Sequence, residues 1–234
     1  MERIKKWLLN EFWVGYNLFE KLFMLLMVAL QIAVFVIAPD SPLSMIAGIA
    51  GTISVVLCAK GKLSFYFIGF IQTGICLWLT WEARFYGEFI ENIFYVVTMI
   101  WGIFIWKKNM NKNDDGSTQV KAKRFSLKQW ILSGVATGVL TLGTGYALTL
   151  VNSQQAYTDA ATNVFAIVAQ LLMIKGYREQ WIWWLAIDVL CLKMWFVDGN
   201  WSMVAMYIAW TINCLYGWYN WTKLNKTTCE SATI

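Results

Sequence analysis

Eight apolar stretches of about 17 to 23 residues follow one another along the chain, and no other feature restricts its fold as much. They lie at about 20–38, 43–59, 63–81, 86–106, 128–150, 157–174, 180–197 and 200–222. A helix needs roughly 17–25 apolar residues to cross a bilayer. In hydrocarbon every backbone N–H and C=O must be satisfied within the segment, so runs of this length predict helices. Charged residues make up only 14% of the chain and hydrophobic ones 59%. A soluble domain carries about 25% charged residues, so a soluble class is excluded. The expectation is an all-α integral membrane protein.

The loops set an orientation. With the N-terminus on the cytoplasmic side, 17 of the 19 Lys and Arg residues fall in segments facing that side. The exceptions are Arg84 on the far side and Lys193 inside the seventh run. The positive-inside rule then predicts that both termini are cytoplasmic. The net charge of +5 therefore reports topology and not a nucleic-acid partner. Residues 1–18 read as an amphipathic segment lying at the interface, followed by a membrane helix at 20–38. Residues 107–127 form a cytoplasmic loop. Within it NMNKNDDGSTQVKAKR has no apolar period and is expected to be flexible. Residues 223–234 form a cytoplasmic tail.

Sliding the chain by 115 residues superposes Leu57 on Leu172, Lys60-Gly61 on Lys175-Gly176, Gly102 on Gly217 and Trp106 on Trp221. The shared offset marks a duplication. It spans four runs, an even number, so both copies face the same way. The predicted architecture is two parallel three-helix repeats, 43–106 and 157–222, joined by a linker helix at 128–150. An extra N-terminal helix precedes them. Parallel repeats of this 3+1+3 kind place a substrate site near the bilayer midplane at the repeat interface. Gly102 and Gly217 are expected to allow close helix packing. Trp106 and Trp221, at the ends of their runs, read as interface anchors.

Polar residues inside the runs are the candidates for function. Asp188 sits near the middle of the seventh run, where a carboxylate costs about 2.5–3.5 kcal/mol. Trp181, Trp184, Asp188 and Trp195 share one helix face. A carboxylate between indoles suits a flat ring that carries hydroxyls or positive charge. The plain alternatives are an internal pair with Lys193, and belt tryptophans at the two interfaces; for Trp181 the belt and ligand readings weigh equally. Asn163 and Gln170 share a face of the sixth run, and the eighth carries Tyr207, Trp210 and Asn213. Glu91, Asn92 and Tyr95 lie in the fourth run and Gln72 in the third. Any one of these amides reads as interhelical glue, but the whole set is redundant for that purpose. The chain has no histidine, and its five cysteines include no CxxC pair. No zinc, haem or other cofactor site is expected. The cysteines in the runs read as small apolar residues. No nucleophile elbow, phosphate loop or metal-protease motif is present, and the chain is not expected to be an enzyme.

The stretches GKLSFYFIGF, YGEFIENIFYVVTMIWGIFIW, QWIWWLAID and YIAWTINCLYGWYNW resemble the PnuC-type nicotinamide riboside transporters. The resemblance spans roughly 43–222. Its most specific pieces are Gly87-Glu88 with Asn92 and Tyr95, Gly102 with Trp106, Trp181 with Trp184, and Tyr207 with Gly217 and Trp221. It implies a SWEET-like fold in the inner (plasma) membrane and homo-oligomers, a trimer among the options. It also implies facilitated diffusion of an NAD precursor that a cytoplasmic kinase then phosphorylates. Aromatic faces suit the pyridinium ring, Asn and Gln the carboxamide, and Asp188, Glu91 or Gln170 the ribose. No arginine cluster suits a phosphate. A sister transporter for thiamine or riboflavin, a membrane-embedded enzyme using Glu88, Glu91 and Asp188, and a non-transporting receptor or scaffold remain alternatives.

Overall fold

The computed structural model describes residue 9 and residues 11–12, 14–37, 41–112, 118–150 and 155–231. Most of the segment expected to lie at the interface, residues 1–18, falls outside them. Eight helices run through the described residues: α1 (Leu18–Ile37), α2 (Pro42–Ala59), α3 (Ser64–Glu82), α4 (Tyr86–Lys108), α5 (Leu127–Leu150), α6 (Ala156–Ile174), α7 (Gln180–Asp198) and α8 (Trp201–Ser231). Helices α1 to α7 are long and apolar enough to cross a membrane. Helix α8 is long enough at 31 residues, but its Tyr, Trp, Asn and Thr residues leave it less apolar than the other seven. The expected eighth span is thus a helix without the hydropathy of a span.

The chain divides into two compact units, Met1–Lys121 and Ala122–Ile234. In the first, α1 opens with a capping box. The Asn17 Oδ1 accepts the Glu20 N–H at 2.8 Å, and Glu20 Oε2 accepts the Asn17 N–H at 2.9 Å. The same Glu20 carboxylate takes two 2.9 Å hydrogen bonds from the Lys60 ammonium, which also donates to the Gly15 carbonyl at 3.0 Å. Lys60 closes α2, so this buried ion pair ties the start of α1 to the turn between α2 and α3. Helix α2 starts at Pro42, where a missing N–H costs nothing, and Ser41 Oγ caps it through the Ser44 N–H. In the core of this unit the Tyr66 ring meets Trp106 edge-on at 5.3 Å, and both are fully buried. Gly102 lies beneath the tyrosine, and a methyl group there would overlap the ring.

The second unit repeats this construction. Ser126 and Gln129 form the box at the start of α5, and Gln129 Nε2 reaches the Tyr177 hydroxyl in the turn between α6 and α7. Trp181 meets Trp221 edge-on at 6.1 Å. Gly217 lies beneath Trp181, where a methyl group would stand 2.5 Å from Cε2. The turns match bond for bond at the 115-residue offset. Lys62 N–H donates to Leu57 O as Tyr177 N–H does to Leu172 O, and Gly61 and Gly176 both take positive φ. Helix α3 ends through a left-handed residue, Arg84 (φ 61°), and α7 through Gly199 (φ 77°) at the equivalent place. The leading helix, expected as an extra in the first unit and a linker in the second, opens with a capping box in both and reaches the following turn through the last residue of that box, by an ion pair in one and an amide–hydroxyl bond in the other.

Two expectations are corrected by packing. Trp106 and Trp221 have no exposed surface, so they are core residues of their units and not interface anchors. The loop after α4 is not structureless. Met110–Lys112 pairs antiparallel with Thr118–Val120. The Val120 N–H then donates to Gly61 O, and in the second unit the Lys123 N–H donates to Gly176 O. The outward faces are apolar, as in Leu132, Val135, Val139 and Leu142 of α5, all exposed. Exposed apolar area on this scale fits hydrocarbon as the surrounding solvent.

Candidate functional site

Helices α7 and α8 are packed together, with Gly217 allowing the Trp181 ring to lie flat on α8. Trp181 is therefore buried core, a role distinct from both the belt and the ligand wall weighed for it. One turn further along α7, Trp184 is half-buried. A turn beyond that, Asp188 is 5% exposed. The Cys214 thiol of α8 donates to Asp188 Oδ2 at 3.2 Å. Among the described residues no Lys or Arg lies within ion-pair reach of Asp188; Lys193, the expected partner, is exposed. A carboxylate offers about four acceptor sites, so most of its capacity is not used by the thiol.

The walls continue outward from that level. The Cys191 thiol, one turn after Asp188, faces the Tyr207 hydroxyl of α8. The Tyr207 ring meets Trp210 edge-on at 5.2 Å. The buried indole N–H of Trp210 has no hydrogen-bond partner among the described residues, an arrangement that costs about 1–3 kcal/mol unless a partner arrives, and the Trp195 N–H faces the Tyr207 hydroxyl. Asn213, beside Cys214, is 2% exposed. The second unit thus brings Asp188, Tyr207, Trp210 and Asn213 onto one helix pair. Gln170 is buried on α6. Asn163 is exposed, and its amide donates to the Asp159 carbonyl of its own helix.

The candidates in the first unit form a separate set. The Tyr95 hydroxyl donates to Glu91 Oε1 at 2.6 Å, and the Asn92 amide donates to the Glu88 carbonyl. The Gln72 carboxamide lies over Gly51 of α2, within 2.7 Å of where a methyl group would sit. Gln72 and Asn92 are thus engaged in local packing and hydrogen bonding. The residues that sequence reasoning missed are Cys214 and Cys191. The clue to them was position alone: each lies in an apolar run with a polar side chain three residues or fewer away.

The profile of the family described as nicotinamide mononucleotide transporter matches residues 41–223. The chain is 39% identical to the nicotinamide riboside transporter PnuC of Haemophilus influenzae, over 94% of this chain and 96% of that protein. It is 35% identical to the protein of the same name from Neisseria mucosa, over 94% of this chain and 87% of that one. The solved crystal structure of the vitamin B3 transporter PnuC superposes with a TM-score of 0.81 at 34% identity. That match covers 95% of this chain and 98% of the other.

Proposed function

We propose a function from one premise: the chain belongs to the nicotinamide mononucleotide transporter family. It is a nicotinamide riboside transporter, as its similarity to riboside carriers over nearly its whole length supports. The substrate is bound on the α7–α8 pair with its ribose hydroxyls donating to Asp188. Trp184, Tyr207 and Trp210 offer π-faces to the pyridinium cation, and Asn213 or Gln170 meets the carboxamide. The observation that carries this reading is Asp188 itself: a buried carboxylate inside a membrane helix, with a thiol as donor and no cation in reach among the described residues. Intramembrane ionisable groups of this kind mark substrate paths.

The same charge bears on the choice between the riboside and its phosphate ester. A phosphate charge about 6 Å from Asp188 is repelled by about 3 kcal/mol at an effective dielectric of 20. With no guanidinium beside Asp188 among the described residues to offset this, the unphosphorylated nucleoside is preferred by about a hundredfold. Transport is facilitated diffusion, in which the α7–α8 site is exposed alternately to either side. A cytoplasmic kinase traps the product. The protein lies in the inner membrane with both termini in the cytoplasm, which the distribution of Lys and Arg supports, and it functions as a homo-oligomer.

Titration of the purified protein, followed by tryptophan fluorescence, tests the substrate reading. Nicotinamide riboside should quench the indoles of α7 and α8 saturably. The mononucleotide, thiamine and riboflavin should bind at least a hundredfold more weakly. Equal affinity for the mononucleotide, or tighter binding of thiamine or riboflavin, would reject it.

A further inference from the structure

We infer that Cys214 is a positioning residue for substrate recognition: its thiol fixes the plane of the Asp188 carboxylate so that the remaining lone pairs face the incoming sugar. The inference rests on the reading that Asp188 takes the ribose. Carboxylate rotation about its terminal torsion is soft and roughly two-fold, so a buried Asp needs a partner to hold one orientation. Asp188 finds that partner on the neighbouring helix. Cys214 Sγ sits 3.2 Å from Oδ2, and both residues are nearly fully buried, at 6% and 5% exposed. The other groups that face this carboxylate are Cys191 of its own helix and Tyr207 of α8. Those two are engaged with each other, the thiol against the phenol. Cys214 is therefore the group that sets the orientation of Asp188. A thiol is a weak donor. It orients the carboxylate while leaving most of its acceptor strength for a stronger donor such as a vicinal diol.

The geometry also explains why a cysteine stands at this place on α8. A leucine there would bury Oδ2 against carbon, and a lysine would occupy the acceptor sites that the ribose hydroxyls need. A small group with one modest donor does neither.

A double-mutant cycle between Cys214 and Asp188 tests the inference, on the full-length protein in detergent, with nicotinamide riboside as the probe. Cys214→Ala should raise the dissociation constant about five- to tenfold and raise the KM for uptake without lowering the maximal rate. Cys214→Ser, which keeps a donor at the same place, should stay within about threefold of wild type. In an Asp188→Asn background Cys214→Ala should add no further loss. Monodisperse elution identical to wild type establishes that each variant folds. An infrared readout is independent of ligand: the S–H stretching band that Cys214→Ser removes should move to higher frequency in Asp188→Asn. Wild-type affinity in Cys214→Ala, an equal further loss in the Asp188→Asn background, or an unmoved S–H band would each overturn the inference. If Asp188→Asn weakens binding while Cys214→Ala does not, the positioning role falls and the site stands. If Asp188→Asn itself leaves affinity unchanged, the site reading falls and takes this inference with it.

Discussion

Replacing Gly217 by alanine should both destabilise the second unit and weaken ligand binding. The added methyl group would stand 2.5, 2.6 and 2.7 Å from Cε2, Cζ2 and Cδ2 of Trp181, above the body of the indole and not at its edge. Carbon atoms pack at about 3.5–4.0 Å, so the helices must part by about 1 Å. The indole has little room to yield, because it is itself buried and meets the fully buried Trp221 edge-on. Overpacking of this kind costs about 1–3 kcal/mol. The better helix propensity of alanine returns at most about 1 kcal/mol, leaving a net loss of up to about 2 kcal/mol. At about 2–4 °C per kcal/mol for a chain of this size, the melting midpoint should fall by up to about 8 °C. Cys214 lies one turn from Gly217, so the same displacement stretches its 3.2 Å contact with Asp188 beyond hydrogen-bond range. Affinity should therefore fall with stability. The assay is thermal unfolding in detergent by intrinsic fluorescence, paired with riboside titration. The control is Gly138→Ala on α5, where an added methyl group meets nothing within 4 Å and neither quantity should drop. A Gly217→Ala protein that melts and binds like wild type would refute the close contact between α7 and α8.

Three further outcomes follow from the same structure. Lys60→Met strands the buried Glu20 carboxylate and should cost about 3–5 kcal/mol, most of it recovered by pairing it with Glu20→Met, as read from melting midpoints of the two single variants and the double. Gly199→Ala forces a methyl side chain to φ 77° and should destabilise by about 1–2 kcal/mol, whereas Arg84→Gly at the equivalent turn should not destabilise at all. Asn17→Ala removes the cap of α1 and should cost about 1 kcal/mol in the same melting assay, with Asn17→Asp close to wild type.

The helices were legible in the sequence because hydrocarbon imposes length and composition directly on a span. The 115-residue offset was legible for the same reason, since it preserves both spans and turns. Its first helices were not seen as equivalents. The boxes Asn17-x-x-Glu20 and Ser126-x-x-Gln129 lie 109 residues apart, so a slide without gaps passes over them. Trp106 and Trp221 misled because an aromatic at the end of an apolar run looks the same whether it faces headgroups or a partner ring. The strand pairing after α4 is tied by a backbone bond to a turn 59 residues away, and backbone bonds leave no side-chain period. Asp188 stood out by charge alone. Its contact with Cys214 joins positions 26 residues apart on two helices, and depends on a helix register that hydropathy does not encode.

The account centres on a buried Asp188 carboxylate, held by the Cys214 thiol, that admits the riboside and turns away its phosphate ester. Uptake of labelled nicotinamide riboside into proteoliposomes, in wild type and Asp188→Asn, with the mononucleotide as competitor, tests this directly. The account predicts that wild-type uptake levels off at equal internal and external concentrations and is unaffected by an equal concentration of mononucleotide, and that Asp188→Asn raises the KM at least tenfold. Unchanged uptake kinetics in Asp188→Asn, or full competition by the mononucleotide, would contradict it.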